Sequence, residues 1–250
     1  MSAPPRAAPP ASVELIERLV TANRILFDQK VVDAFGHVSV RHDKDPELYL
    51  LSRPVAPGLV TARDVVTFDL DSRPLEATGE SHYAERFIHG EIYRARSDVA
   101  AVVHCHAPLL VLFSVTPGPL RPVSHMSGFL GAGVARFEIR EVAGQTDLLV
   151  RTPQLGRALA RALGDKPIVL MRGHGATLVG ATLEQAVYRA VYAVQNAWLQ
   201  MEALRLGSVT FLTADEAALA AEANDRQLGR AWALWARQAR GEGPDRVSVP

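Results

Sequence analysis

Ala101-Val102-Val103-His104-Cys105-His106-Ala107-Pro108 is the stretch on which the fold of this chain turns. The apolar, β-branched run that leads into it reads as a buried strand, and Pro108 cannot continue a ladder of hydrogen bonds, so the histidines fall at a strand end. Residues two apart on a strand leave the same face, which aims His104 and His106 at one point, where two imidazoles can hold a metal. Ligand sites in α/β proteins commonly open at strand ends. Cys105, between them, faces the other way and reads as a small buried apolar residue. By itself the pattern is a common one, and two core or surface histidines satisfy it equally.

Working outward, helical spacing of Leu15, Ile16, Leu19, Val20 and Leu26 predicts an amphipathic helix over 13–27. Alternation predicts a hairpin of strands 38–41 and 48–51, turned by Asp43-Lys44-Asp45-Pro46. Thr61-Ala62-Arg63-Asp64 has the form of a helix start before a strand over 65–70, and a helix over 82–96 then leads into the His104 strand. A helical turn follows at 108–113, and a Pro- and Gly-rich loop runs through 121–133. A helix over 155–163, a strand over 168–171 and its continuation at 176–179 flank Gly173-His174-Gly175. Capping-box patterns at Thr182-Leu183-Glu184-Gln185 and Thr213-Ala214-Asp215-Glu216 open a long helix to 206 and one C-terminal helix through 240. The sum is one α/β domain over 13–240, a sheet covered by helices, between an Ala/Pro-rich disordered tail at 1–12 and a flexible tail at 241–250.

Composition narrows the function. Among 250 residues, Lys plus Arg number 27 and Asp plus Glu number 27, so no general field attracts nucleic acid or an acidic membrane. The single Cys excludes a disulfide framework or a thiolate metal cluster and suits a reducing cytoplasm. No apolar run reaches the roughly 18 residues that span a membrane. The only lysines are Lys30, Lys44 and Lys166, none placed for Schiff-base chemistry. A soluble protein with a small-molecule partner is expected, and any metal must be held by His and carboxylates.

His174, between two glycines after a buried strand, is a third candidate ligand, since flanking glycines allow close backbone approach. The alternative is an ordinary turn histidine. Three neutral imidazoles leave a coordination position open, as catalytic sites require. Glu85 lies one helical turn from His89; it is either a solvated carboxylate or, if the helix packs beside the metal, an acid/base.

Glu85, Ile88-His89, Arg96-Ser97-Asp98-Val99, Val102 to Ala107 with its His-Cys-His, and Gly173-His174-Gly175 together resemble the class II aldolase/adducin head family, over about 15–207. The resemblance implies a three-layer fold with a central, mainly antiparallel or mixed sheet flanked by helices on both sides. It implies one divalent metal ion per subunit on His104, His106 and His174, with zinc, manganese, cobalt or iron all suited to such ligands. It further implies Glu85 as acid/base and a tetramer with active sites between subunits. His125 falls about where many family aldolases place a Tyr contributed by a neighbouring subunit, and an imidazole there can deliver a proton; the other reading is a polar loop residue.

The departures from the family pattern carry the substrate expectation. Sugar-phosphate members carry Gly-Asn where this chain has Gly36-His37 before the shared Ser39-Val40-Arg41. They carry a Thr-Pro-x-Gly-like loop where it has Ser52-Arg53-Pro54-Val55-Ala56-Pro57, and Ser-Ser where Tyr83-Ala84 precedes Glu85. Small hydroxyls and backbone amides suit phosphate, and their replacement argues against a phosphorylated substrate. Arg53 offers a planar fork for a carboxylate, or is a surface loop residue; His37, His82 and Tyr83 add a flat wall. Substrate contacts are therefore expected from His37, Ser39, Arg41, Ser52, Arg53, His82 and Tyr83.

The expected activity is a metal-dependent carbon–carbon lyase, a decarboxylase of a non-phosphorylated hydroxylated aromatic or ring-cleavage acid passing through a metal-stabilised enolate or carbanion. The alternatives are a class II aldolase on an unphosphorylated hydroxy keto acid, a metal-dependent oxygenase, and a non-catalytic adducin-like interaction domain.

Overall fold

The structure is a computed structural model that describes residues 9–76, 79 and 81–242. In chain order it runs α1 (Val13–Asp28), β1 (His37–Arg41), β2 (Leu48–Ser52), β3 (Val65–Asp69), α2 (Arg86–Ala95), β4 (Ala101–Cys105), α3 (Pro108–Val115) and β5 (Ala135–Phe137). There follow α4 (Arg140–Ala143), α5 (Pro153–Leu163), β6 (Ile168–Met171), β7 (Gly175–Gly180), α6 (Leu183–Leu206), α7 (Ala214–Asp225) and α8 (Leu228–Ala239). The strands form one mixed sheet in the order β3-β2-β1-β4-β7-β6-β5, antiparallel except for the β5–β6 pair, as the family resemblance implied.

Strand alternation sorts the side chains into two cores. Val38 and Val40 of β1, Ala101, Val103 and Cys105 of β4, and Ala176 and Leu178 of β7 pack with α1, α3 and α6 on one face. Leu51, Phe68, Val102, Val169 and Val179 pack with Ile88 and Ile92 of α2 and Leu159 of α5 on the other. The opposite alternation therefore turns His37, Ser39 and Arg41, His104 and Thr177 toward α2. Register then lines up His37, His104 and Thr177 in one row across three strands, since His37 pairs with His104 and His104 with Thr177.

Several differences from the sequence reading have local causes. The box at Thr61 forms, but Ala62–Asp64 makes only a single 3-10 turn before the chain enters β3. Thr182 caps α6 through Gln185 N, while the Gln185 side chain accepts from Ala181 N instead of closing the box. The C-terminal helix is two: α7 lays Ala217 and Ala220 against a 3-10 turn at His125–Ala132, inside the stretch expected to be loop, and α8 turns back onto α1 and α6. The break falls at Arg226-Gln227, just ahead of Gly229 in the first turn of α8. β5 and α4, of 3 and 4 residues, are too short to show a period. Of the expected N-terminal tail, 1–8 lie outside the described residues, but 9–12 are tied down: Ser12 caps α1, and the Pro9 and Pro10 carbonyls accept from His42 and Lys44. Likewise 243–250 of the C-terminal tail lie outside them.

Candidate metal centre

β4 delivers His104 at its last turn of pleat and His106 just beyond its end, and the β6–β7 turn brings His174 over them. That turn needs its glycines. Gly173 has φ of +66°, and a Cβ on Gly175 would lie 2.0 Å from the Cys105 carbonyl oxygen, so only glycine lets β7 start this close to β4. Glu85 occupies the N-cap position of α2, where its Oε1 accepts from Val150 N at 2.9 Å and so fixes the carboxylate.

The four side chains converge. His104 Nε2 and His106 Nε2 are 3.0 Å apart, and His106 Nε2 and His174 Nε2 are 3.1 Å apart. Glu85 Oε2 lies 3.5 Å from His104 Nε2 and 3.4 Å from His174 Nε2. All four donor atoms fall within 4.8 Å of one another.

This donor set fits a divalent cation. Ligand bonds of about 2.0–2.2 Å hold neighbouring ligand atoms about 3 Å apart, the spacing of His106 Nε2 from the Nε2 atoms of His104 and His174. His104 Nδ1 lies 3.3 Å from Thr177 Oγ1, whose own hydroxyl donates to Met171 Sδ at 3.4 Å. With its Nδ1 proton given to Thr177, His104 presents a bare Nε2, the arrangement of ligand histidines held by an outer hydrogen bond. Burial first, then neighbouring His104 and His174, push the His106 pKa down to about 4, leaving it a neutral ligand at pH 7. Burial opposes ionisation of Glu85, but the hydrogen-bonding and electrostatic pull of His104 and His174 holds its carboxyl well below the usual carboxylate range. Glu85 is thus a carboxylate at neutral pH, set to receive a proton before it gives one. Cys105 faces the apolar core, and burial pushes its thiol up to about 11.

The structure sorts the expected substrate contacts. His37 and Tyr83 stand beside the cluster: the His37 ring centroid is 5.0 Å from that of His104 and 4.5 Å from that of Tyr83. The Tyr83 hydroxyl is anchored to the Val55 carbonyl at 2.9 Å, which brings the loop after Ser52 and Arg53 to this edge of the site. Arg53 Nε is committed to Asp64 Oδ1 at 2.6 Å, a half-exposed ion pair, so its guanidinium is aimed by that carboxylate. His82 packs edge-on against Phe68 of β3. Ser39 and Arg41 lie farther along β1. Both face α2, but each step of two along β1 carries the chain about 7 Å farther from His37. Ser39 is buried against His89 and Tyr93, and Arg41 donates to the Tyr93 and Arg96 carbonyls at the far end of α2. His125 starts the 3-10 turn, exposed and outside its own chain's cluster.

Three residues behind the site had no role in the sequence reading: Thr177, and His89 and Tyr93. The last two follow Glu85 at steps of four, one face of α2, and that spacing was the available signal. Beside His106 opens a cleft of about 570 Å³, lined by Phe27, Val31, Val32, Ala107 and Pro108 together with the charged Asp28, Lys30 and Asp33.

Residues 17–201 match the family described as Class II Aldolase and Adducin N-terminal domain. The chain belongs to that family. Among curated relatives, decarboxylase tropJ of Talaromyces stipitatus is 36% identical, across 92% of this chain and 95% of its own length. The 3,4-dihydroxyphthalate decarboxylase of Arthrobacter keyseri is 32% identical, across 76% of this chain and 79% of its own. Among solved structures, L-fuculose 1-phosphate aldolase from Glaciozyma antarctica superposes with a TM-score of 0.75 at 22% identity, covering 95% of this chain and 97% of that one. That likeness is one of fold. As a class II aldolase/adducin-type domain, this chain keeps a complete cluster of three histidines and one glutamate among its described residues.

Proposed function

We propose that the chain is a metal-dependent carboxy-lyase that decarboxylates a non-phosphorylated, hydroxylated aromatic acid. The observation that carries this reading is the neighbourhood of the cluster: the His37 and Tyr83 rings stand 4.5 Å apart at its edge, at positions where sugar-phosphate members carry small polar side chains. Two rings, with Phe27, Val31 and Val32 on the walls of the cleft beside His106, suit a planar ring better than a sugar phosphate. The similarity to proteins named as decarboxylases across most of the chain supports the same reading.

His104, His106 and His174, with Glu85, would hold the metal, and zinc, manganese, cobalt or iron suits these ligands. A bound cation supplies Lewis-acid stabilisation of negative charge on substrate oxygens. Glu85, ionised at rest, takes the proton of a ring hydroxyl ortho to the carboxylate and returns it to the carbon that bears the carboxylate. The carbon–carbon bond then breaks, its electrons stay in the ring, and carbon dioxide leaves. The product departs as a phenolate and takes one proton from water, so charge and atoms balance. Cleavage of an aldehyde from a hydroxy keto acid needs the same residues, and the test must separate the two.

A homo-oligomer with sites between subunits gives His125 a use, since it is exposed and distant in role from its own chain's cluster. Among the described residues no helix is long and apolar enough to cross a membrane, and the lone buried Cys105 suits a reducing cytoplasm. Incubating metal-loaded protein with 3,4-dihydroxyphthalate, with hydroxybenzoates and with an unphosphorylated hydroxy keto acid tests the reading. Release of carbon dioxide from an aromatic acid supports it, and aldehyde release from the keto acid alone would replace it with the aldolase.

A further inference from the structure

Behind the metal centre runs a buried hydrogen-bonded chain that includes none of the four residues of the cluster. Tyr93 Oη lies 2.7 Å from Ser39 Oγ, Ser39 Oγ lies 2.6 Å from His89 Nδ1, and His89 Nε2 lies 2.7 Å from His37 Nδ1. All four side chains are buried. Its path follows from the fold: Glu85, His89 and Tyr93 share one face of α2, and His37 and Ser39 share the face of β1 that meets it.

One ordering of the protons in this chain gives both hydroxyl protons an acceptor. Ser39 Oγ is the one hydrogen-bond partner of Tyr93 Oη among the described residues, so the single proton of that buried hydroxyl goes to Ser39 Oγ. Ser39 then has one remaining neighbour, and its proton goes to His89 Nδ1. A bare Nδ1 on neutral His89 requires a proton on Nε2, which is donated to His37 Nδ1. Neutral His37 must then carry its proton on Nε2. Reversing the order would turn the Ser39 proton onto Tyr93 Oη and strand the Tyr93 hydroxyl proton in a buried, low-dielectric place, which is costly. Burial supports neutrality at the centre of the chain, pushing His89 down to about 3. His37 Nε2 itself makes no hydrogen bond among the described residues and is not sealed off, so the chain ends in a donor at the site's edge.

We propose that Tyr93, Ser39 and His89 are positioning residues that lock His37 as an Nε2–H donor, and that this donor binds a carboxylate oxygen of the substrate. The carboxylate half rests on the aromatic-acid reading above; the tautomer half stands without it. A neutral, one-way donor accepts an acid and rejects a ligand that offers a hydrogen there. It also adds no fixed positive charge that would hold the carboxylate back from leaving as carbon dioxide.

The test has two arms on the full-length protein. In the first, nitrogen-15 NMR of the histidine rings reads the His37 tautomer in the wild type, in Ser39→Ala and in Ser39→Thr. A single Nε2–H form in the wild type, mixed forms in Ser39→Ala and recovery in Ser39→Thr are expected; an Nδ1–H form of His37 in the wild type overturns the relay. In the second arm, 3,4-dihydroxybenzoate and catechol are titrated as probes that differ only in the carboxylate. The wild type should favour the acid by about tenfold or more, as a hydrogen bond to a charged group commands. His37→Phe should abolish the preference with metal content unchanged, and His37→Gln, whose amide still donates, should recover part of it. A preference that survives in His37→Phe overturns the carboxylate assignment. If the wild type binds neither probe, the aromatic-acid reading fails together with the carboxylate half, while the NMR arm still decides the relay.

Discussion

Thr177→Val should weaken metal binding about tenfold without unfolding the protein. The change is nearly isosteric, and Thr177 lies in the interior of β7, fully buried, where a β-branched side chain is favoured. What it removes is the oxygen 3.3 Å from His104 Nδ1. For His104 to offer a bare Nε2, its proton must sit on Nδ1, and in the variant that N–H faces a methyl group. An unsatisfied buried donor costs about 1–3 kcal/mol. The metal-free protein escapes the cost by moving the proton to Nε2, so the penalty falls on the bound state alone. Because the contact is long, the lower part of that range applies, and about 1.4 kcal/mol is a factor of ten in affinity. Loss of an outer-shell partner typically costs 10–100-fold, in accord with this figure. Competition with a chelator of known affinity measures the change, and thermal unfolding of the metal-free form checks that the fold survives. Thr177→Ser, which keeps the oxygen, should bind as the wild type does. Equal affinity in wild type and Thr177→Val would show that Thr177 does not set the His104 tautomer.

The remaining expectations concern the cluster and the chain behind it. His106→Ala removes one of three imidazoles and should abolish metal retention on gel filtration, together with activity; normal metal content would remove His106 from the ligand set. Glu85→Gln should still bind metal, more weakly, and turn over about a hundredfold or more slowly, as for a positioned acid/base; undiminished turnover would pass that role to His125. His89, with its pKa pushed from 6.5 down to about 3, makes folding pH-dependent in the metal-free protein. Stability is whole above pH 6.5 and falls as pH drops toward 3, because the unfolded chain takes up a proton that buried His89 refuses, at up to about 1.4 kcal/mol per pH unit. Urea unfolding between pH 7 and 5 should therefore show a shallower loss in His89→Gln than in the wild type, and identical slopes would mean that His89 titrates normally in the fold.

The sequence made the long elements and the ligands legible because both rest on short-range rules. Period-2 alternation put His104 and His106 on one face and Cys105 on the other, and the Gly-His-Gly turn announced a close approach that the Cys105 carbonyl confirms. Where long-range packing decides, the reading stopped. The break between α7 and α8 goes with their docking against different neighbours, and Gly229 in the first turn of α8 is only a weak local sign of it. The same limit explains Ser39 and Arg41: their spacing put them on the correct face of β1, but only the direction of α2 along that strand shows that they serve His89, Tyr93 and the end of the helix. Arg53 was visible as a cation and not as the partner of Asp64, eleven residues on.

The central claim is that the Glu85, His104, His106 and His174 cluster holds the ion on which carbon dioxide release depends. Adding a divalent metal stepwise to stripped protein, with carbon dioxide release from 3,4-dihydroxyphthalate or another responsive hydroxylated aromatic acid followed at each step, tests it most directly. Activity should climb from near zero in proportion to metal added and level off at about one ion per chain, as four converging ligands for a single ion require. Full carbon dioxide release from the stripped protein, or one ion bound per chain with no carbon dioxide from any hydroxylated aromatic acid, would contradict it.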